Sequence, residues 1–205
     1  MNEKSGWPRR DVVKATGAAA TLAAFMAPIA KAFGKTVEAA KPAPPPIKAV
    51  LVDPRYADSR AFAEALQAEG AKVFSVEDDL GHLWRGELGA LYAAGGARVA
   101  GLTPHSDLFL SLSLAKETGA KAACGFEGWH DCRGSDTLRH TLEGGEGARG
   151  LAAELDAVGE AWATALAQRV SAAAAIGKAT VADASAGGAP RPADHPGTLI
   201  SWVIG

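Results

Sequence analysis

Cysteine is scarce in this chain: two residues in 205 cannot build a scaffold held by several disulfides. Aromatic residues make up only 6%, so alanine and the aliphatic residues must fill most of the core. No stretch reaches the roughly 18 uninterrupted apolar residues of a membrane span, which excludes a multi-span membrane protein. A basic surplus is missing as well. Lys and Arg number 21 against 23 Asp and Glu, a formal charge of -2, which is not the footprint of a nucleic-acid binder. The phosphate-loop pattern G-x-x-x-x-G-K-[ST], the zinc-protease pattern H-E-x-x-H and the serine-hydrolase pattern G-x-S-x-G are all absent. With 48% hydrophobic and 21% charged residues, what remains is one globular domain of ordinary size.

The first 47 residues differ from the rest. Pro8-Arg9-Arg10-Asp11-Val12-Val13-Lys14 precedes a mildly apolar stretch from Ala15 to Ala30, and Ala30-Lys31-Ala32 supplies small residues at alternate positions. A charged head, an apolar middle and an A-x-A site are the parts of a cleavable export signal. The segment resembles a twin-arginine translocation (Tat) signal peptide, with Arg9 and Arg10 as the arginine pair. Pro8 stands where that family has Ser or Thr, and Val12-Val13 where it has Phe-Leu. The resemblance implies passage through the Tat translocase, a periplasmic destination, and a membrane tether if the signal is not cleaved. Residues 1–32 carry five basic and two acidic residues, so removing them makes the chain more acidic. That shift argues further against nucleic acid or an anionic membrane as partner. Residues 33–47, with Lys41-Pro42-Ala43-Pro44-Pro45-Pro46, read as an extended tether. The domain proper is expected over 48–205.

Within it, short apolar runs alternate with helical patterns. Lys48–Val52, Ala71–Val76, Arg98–Leu102 and Ala120–Phe126 read as strands buried on both faces. Leu80, Leu83, Trp84, Leu88, Leu91 and Tyr92 share one helical face, as do Leu108, Leu112 and Ala115. Asp58 or Ser59 is expected to cap the helix carrying Phe62 and Leu66. Leu151, Leu155, Val158, Trp162, Leu166 and Val170 form the stripe of a long C-terminal helix. Residues 182–195 read as loop, and Thr198–Ile204 as a terminal edge strand. This order predicts a small three-layer α/β domain with an open parallel sheet, similar to flavodoxin.

In open parallel sheets, ligands sit beyond the carboxyl ends of the strands, where loops and helix N-termini converge. The polar residues expected there are Asp53, Arg55 and Ser59 after strand one, His105 and Asp107 after strand three, and Glu127 and His130 after strand four. Trp129 in the same region is a candidate stacking wall. Cys124 and Cys132 are expected to form a disulfide in an oxidising compartment. The same two thiols with His130 and His140 make a legitimate zinc set, but the spacing matches no standard site and no metal is expected. Gly145-Glu146-Gly147-Ala148-Arg149-Gly150 fits G-x-G-x-x-G, yet Asp136 to Glu143 is too polar for the buried strand that a dinucleotide fingerprint requires.

The leading functional expectation is an exported ligand-binding or accessory protein using the rim around Asp53, Arg55, His105 and His130, with a small molecule or an exported protein as partner. One alternative is a periplasmic enzyme with Asp53 and His105 or His130 as acid and base. Another is a subunit of an exported redox complex, docking through the Leu151–Val170 helix. No particular cofactor is indicated.

Overall fold

The computed structural model describes residues 45–205 apart from 96, 119–121, 133–136, 145–146, 174–179 and 185–191. The expected signal and most of the tether lie outside the described residues. The first strand, β1 (Ile47–Val52), is apolar but for exposed Lys48 and is buried on both faces over Ala49–Leu51. It leads into α1 (Ala57–Ala68), which turns Phe62, Ala63 and Leu66 inward. After β2 (Lys72–Ser75), the expected helix over 80–92 forms as two pieces, α2 (Leu80–Arg85) and α3 (Glu87–Ala93). The break falls at Gly86, whose backbone leaves the helical region. Asp79 caps α2 by accepting from the His82 N–H at 3.0 Å. Then come β3 (Arg98–Thr103), α4 (His105–Glu117) and β4 (Cys124–Asp131). The remainder is β5 (Arg139–Gly144), α5 (Gly147–Val158), α6 (Trp162–Ala173), β6 (Thr180–Ala184) and β7 (Thr198–Ile204).

The seven strands form one sheet in the order β2-β1-β3-β7-β4-β5-β6. The expected parallel arrangement holds for β2, β1 and β3. Every other pairing is antiparallel. The sheet is therefore mixed, and the terminal strand is not at an edge. It lies between β3 and β4, with Ala100 opposite Val203 and His130 opposite Leu199. Its composition explains the placement. Leu199 and Val203 face one layer while Ile200, Trp202 and Ile204 face the other, and a strand apolar on both sides needs cover on both sides.

Two further strands were hidden by their chemistry. In β5, buried His140 and Leu142 alternate with exposed Arg139 and Glu143, the half-solvated pattern of antiparallel structure. It pairs with β6, which occupies part of the stretch expected to be loop. The long C-terminal helix is also interrupted. A single 3₁₀ turn, Gly159–Ala161, separates α5 from α6, and Gly159 sits at φ +61°, a left-handed conformation that only glycine adopts without cost. Arg169 then reaches back to Glu154 at 3.0 Å. Along a straight helix those residues would be about 22 Å apart, so α6 folds back against α5.

Helices cover the sheet in two layers. On one face, α1, α5 and α6 bring Phe62, Leu66, Leu155, Trp162, Leu166 and Val170 onto Val50, Leu102, Phe126, Leu142 and Val203. On the other, α2, α3 and α4 bring Trp84, Leu88, Tyr92 and Leu108 onto Leu51, Phe74, Ile200 and Trp202. The result is a three-layer α/β fold. The Leu151–Val170 stripe is spent inside this core, apart from Val158, so it is no docking face.

Candidate functional site

Because β4 runs parallel to β3 across the intervening β7, the carboxyl ends of β1, β3 and β4 lie along one edge, with the start of β7 between them. Asp53, the first residue past β1, is fully buried, and its carboxylate takes two hydrogen bonds from Arg55, at 2.9 Å from Nε and 2.7 Å from a terminal nitrogen. The Arg55 backbone N–H adds a third, at 3.1 Å. This two-pronged grip fixes the guanidinium plane, as single-point ion pairing does not. Arg55 nevertheless keeps 59% of its side chain exposed and lies over the Tyr56 ring. Ser59 accepts from the Asp53 N–H at 2.9 Å and is buried, so it shapes the turn and does not face the rim.

Asp107, on the first turn of α4, acts electrostatically on Arg55. Burial pushes the Asp107 carboxyl above its usual range, Asp53 adds to the rise, and Arg55 and Ser106 oppose it. One of its carboxylate oxygens is buried with no hydrogen-bond partner among the described residues. His105 is exposed and stacks on Trp129 of β4, with ring centroids 5.6 Å apart. Arg55, Asp107 and the His105–Trp129 stack thus follow one another along the rim. Glu127 touches this row only through Trp129. It sits farther back on β4, on the sheet face away from α5 and α6, and accepts from the Trp129 indole N–H at 2.9 Å.

His130 is also not a rim residue. It is fully buried beneath α6, where its ring lies 4.3 Å from that of Trp162. Its Nδ1 is 2.8 Å from Nδ1 of His140 on β5, and its Nε2 is 2.8 Å from Ser201 Oγ on β7. A Cβ at position 128 would overlap Ser201 Oγ and Leu142, so glycine at that place is what lets the two strands bring this pair together. Burial holds His130 well below the ordinary histidine range, and His140 and His195 push it further down. His140 falls to about 4, first from burial and then from His195.

The expected disulfide does not form. Cys124 opens β4 and Cys132 follows its last residue, so about 26 Å of extended strand separates them, far beyond the roughly 7 Å reach of a bridge. Cys124 donates to the Phe126 carbonyl, and burial raises its thiol to about 11. Cys132 is buried near the rim with Sγ 3.3 Å from His195 Nδ1 and 3.3 Å from the Gly197 carbonyl. The same separation removes the zinc set of Cys124 with Cys132, and the described residues contain no cluster fit for a metal ion.

Sequence reasoning missed the segment that joins these features. Asp194 accepts from the Ala57 N–H at 2.7 Å and pairs with Arg60 at 3.7 Å, so the start of α1 is capped from 137 residues away and not by Asp58 or Ser59. Asp58 is instead buried, which raises it to about 6. Asp194 adds to that rise, and the Trp162 indole N–H opposes it without reaching a formed hydrogen bond. The one available signal was the polar pair Asp194-His195 in a stretch of Ala, Gly and Pro. The glycine motif at 145–150 does follow a strand, β5, but that strand is antiparallel to both neighbours and residues 145–146 lie outside the described ones. A groove of about 520 Å³ between α2, α3 and α4, lined by Trp84, Arg85, Ala90, Leu114 and Glu117 among others, holds none of the expected site residues.

No protein-family model matches the chain, and no curated protein or solved structure is significantly similar to it.

Proposed function

We propose that this is an exported binding protein whose rim takes up a small ligand carrying an anionic group. The observation that carries the reading is Arg55: a guanidinium oriented from behind by a fully buried carboxylate, yet more than half open to solvent. An arginine needed only to neutralise Asp53 has no reason to present a fixed plane outward. Arginine in that state suits a carboxylate or phosphate group. Asp107 beside it offers an acceptor to a donor on the same ligand, and the His105–Trp129 stack offers a flat wall. Export through the Tat pathway rests on Arg9 and Arg10 and their flanking pattern.

An enzymatic reading finds less support at Asp53, because Arg55 occupies both of its oxygens. Asp107 with His105 is the better-placed acid–base pair, since burial already raises the Asp107 carboxyl above its usual range.

Native mass spectrometry of protein recovered from the periplasm, compared with its denatured mass, tests the proposal. A chain beginning near Phe33 and carrying extra native mass supports it. Arg55→Ala should then lose that mass and weaken binding of the recovered ligand at least tenfold, with the far-ultraviolet circular dichroism unchanged. An uncleaved chain left in the cytoplasm overturns the export half. Equal binding by Arg55→Ala overturns the rim half.

A further inference from the structure

β1 and β3 run parallel with Val52 opposite Leu102, so the segments that follow them leave the sheet side by side. One carries Asp53 and Arg55, the other Pro104 to Asp107. Among the described residues, this corner of the rim sets one guanidinium against two carboxylates. Asp53 engages Arg55 with both of its oxygens. Asp107 acts on the same guanidinium, while the two carboxylates repel each other. Arg60, the next cation along α1, is spent on Asp194 and on the Pro54 carbonyl. The corner therefore carries one negative charge more than it balances.

Asp107 is the group left over. An acid in the first turn of a helix is favoured by the helix dipole and is ordinarily solvated. Here one carboxylate oxygen is buried and meets no hydrogen-bond donor among the described residues. Pro104, at the entry to α4, supplies no side-chain cap. Ser106 and Arg55 favour the charged form only in part, since burial still holds the carboxyl above its usual range. A buried acceptor without a donor is costly, and a charged donor brought from outside offsets that cost best.

The same helix presents rings to the solvent. His105 stacks on Trp129, and Phe109, one helical turn after His105, stays 64% exposed on that side of α4. Isolated exposed apolar residues are ordinary, but this one extends an aromatic row that begins at the rim.

We infer that the rim ligand is a zwitterion of the aromatic amino acid class, its carboxylate on Arg55, its ammonium on Asp107 and its ring against His105, Trp129 and Phe109. The ligand class rests on the anion site proposed above. A plain carboxylic acid satisfies Arg55 but leaves Asp107 unmet, beside a further negative charge. A phosphate ester brings about two negative charges into the same corner. A zwitterion adds no net charge and gives each of the two side chains its opposite.

The test is calorimetric titration of the full chain at neutral pH with three probes on one skeleton. They are L-phenylalanine, 3-phenylpropionic acid, which lacks the amine, and 2-phenylethylamine, which lacks the acid. L-Phenylalanine should bind at least about tenfold more tightly than either of the others. Asp107→Asn keeps the shape and removes the charge. It should weaken L-phenylalanine about tenfold while 3-phenylpropionic acid binds equally or better, a split that general damage to the fold does not produce. Arg55→Ala should weaken both acids. A smaller advantage of L-phenylalanine over 3-phenylpropionic acid overturns the zwitterion and leaves the anion site standing. Binding of neither acid, or binding that Arg55→Ala does not change, overturns the anion site itself. The comparison of probes on the wild-type chain needs no variant to fold.

Discussion

The two halves of the sheet solve burial differently. In β2-β1-β3 the strands are parallel and helices pack on both faces, so β3 is buried at every position from Arg98 to Thr103. In β4-β5 the strands are antiparallel and alternate, with Phe126, Gly128, His130, His140 and Leu142 turned toward α5 and α6. The intervening residues, Glu127, Trp129, Asp131, Arg139 and Glu143, look out from a face that is partly or wholly open. The parallel half keeps its polar chemistry at the strand ends, where Asp53 and Arg55 sit. The antiparallel half carries polar chemistry inside the strands, because one face needs no apolar cover and the other encloses a histidine pair held by its Nδ1–Nδ1 hydrogen bond and by Ser201. The seam between the halves is β7.

The sharpest way to break the comparison is therefore at the seam. Trp202 is fully buried on β7, packs in the layer beneath α2 to α4, and donates from its indole to Thr103 Oγ1 at 3.1 Å. Trp202→Ala should cost about 3–5 kcal/mol in urea unfolding and should lower both halves in one transition. Two separated transitions would mean that the halves are independent.

Next in size is a gain. Asp58 is raised to about 6 in the folded chain, so its favourable contribution is greatest below its unfolded value near 3.9 and is lost as pH rises through 6. Asp58→Asn should stabilise the protein by about 1–3 kcal/mol at pH 7.5 and by much less at pH 4.5, measured by urea midpoints at each pH. His140 has the opposite sign. Depressed to about 4, it contributes fully above 6.5 and its contribution fades as pH falls toward 4. Between pH 4 and 6 the two groups oppose each other, so the acid limb of the Asp58→Asn stability profile should be steeper than that of wild type.

Smaller effects should come from the helix pair. Gly159→Ala places a side chain at φ +61° and should cost about 1 kcal/mol by the same measurement. Arg169→Ala removes an exposed pair with Glu154 and should change stability by about 0–1 kcal/mol, vanishing at high salt. A large effect there would mean that the pair, and not the buried stripe, sets the angle between α5 and α6.

Legibility in the sequence follows the same division. The parallel half could be read directly, because strands buried on both faces are continuous apolar runs and their helices carry clean stripes. Asp53, Arg55, His105 and Asp107 lie just past the carboxyl ends of β1 and β3, the position that the rule for parallel strands gives them. β5 and β6 were not legible, since Arg139-His140-Thr141-Leu142-Glu143 has the composition of a loop until its alternation is matched to a partner strand. His130 was misplaced for the same reason: from sequence alone, a histidine near a strand end reads as exposed. The pairing of Asp194 with Ala57 and of His195 with Cys132 spans more than sixty residues in each case, a distance that no local pattern records.

The position of β7 sets a problem of timing. Once β3 has left the ribosome, about 100 residues must still be made before β7 can pair with it, roughly 5–20 s at ordinary synthesis rates. Throughout that interval β3, with Val99, Ala100 and Leu102 at its centre, presents an open edge of unpaired backbone groups, and β4 arrives first, by a helical crossover that favours parallel pairing. The order β2-β1-β3-β4 is thus the arrangement the nascent chain meets before its own, and it leaves no slot for Thr198–Ile204. Reaching the native sheet means that this early partnership must be prevented or undone, which makes the insertion of β7 a natural point of control over when the sheet is complete.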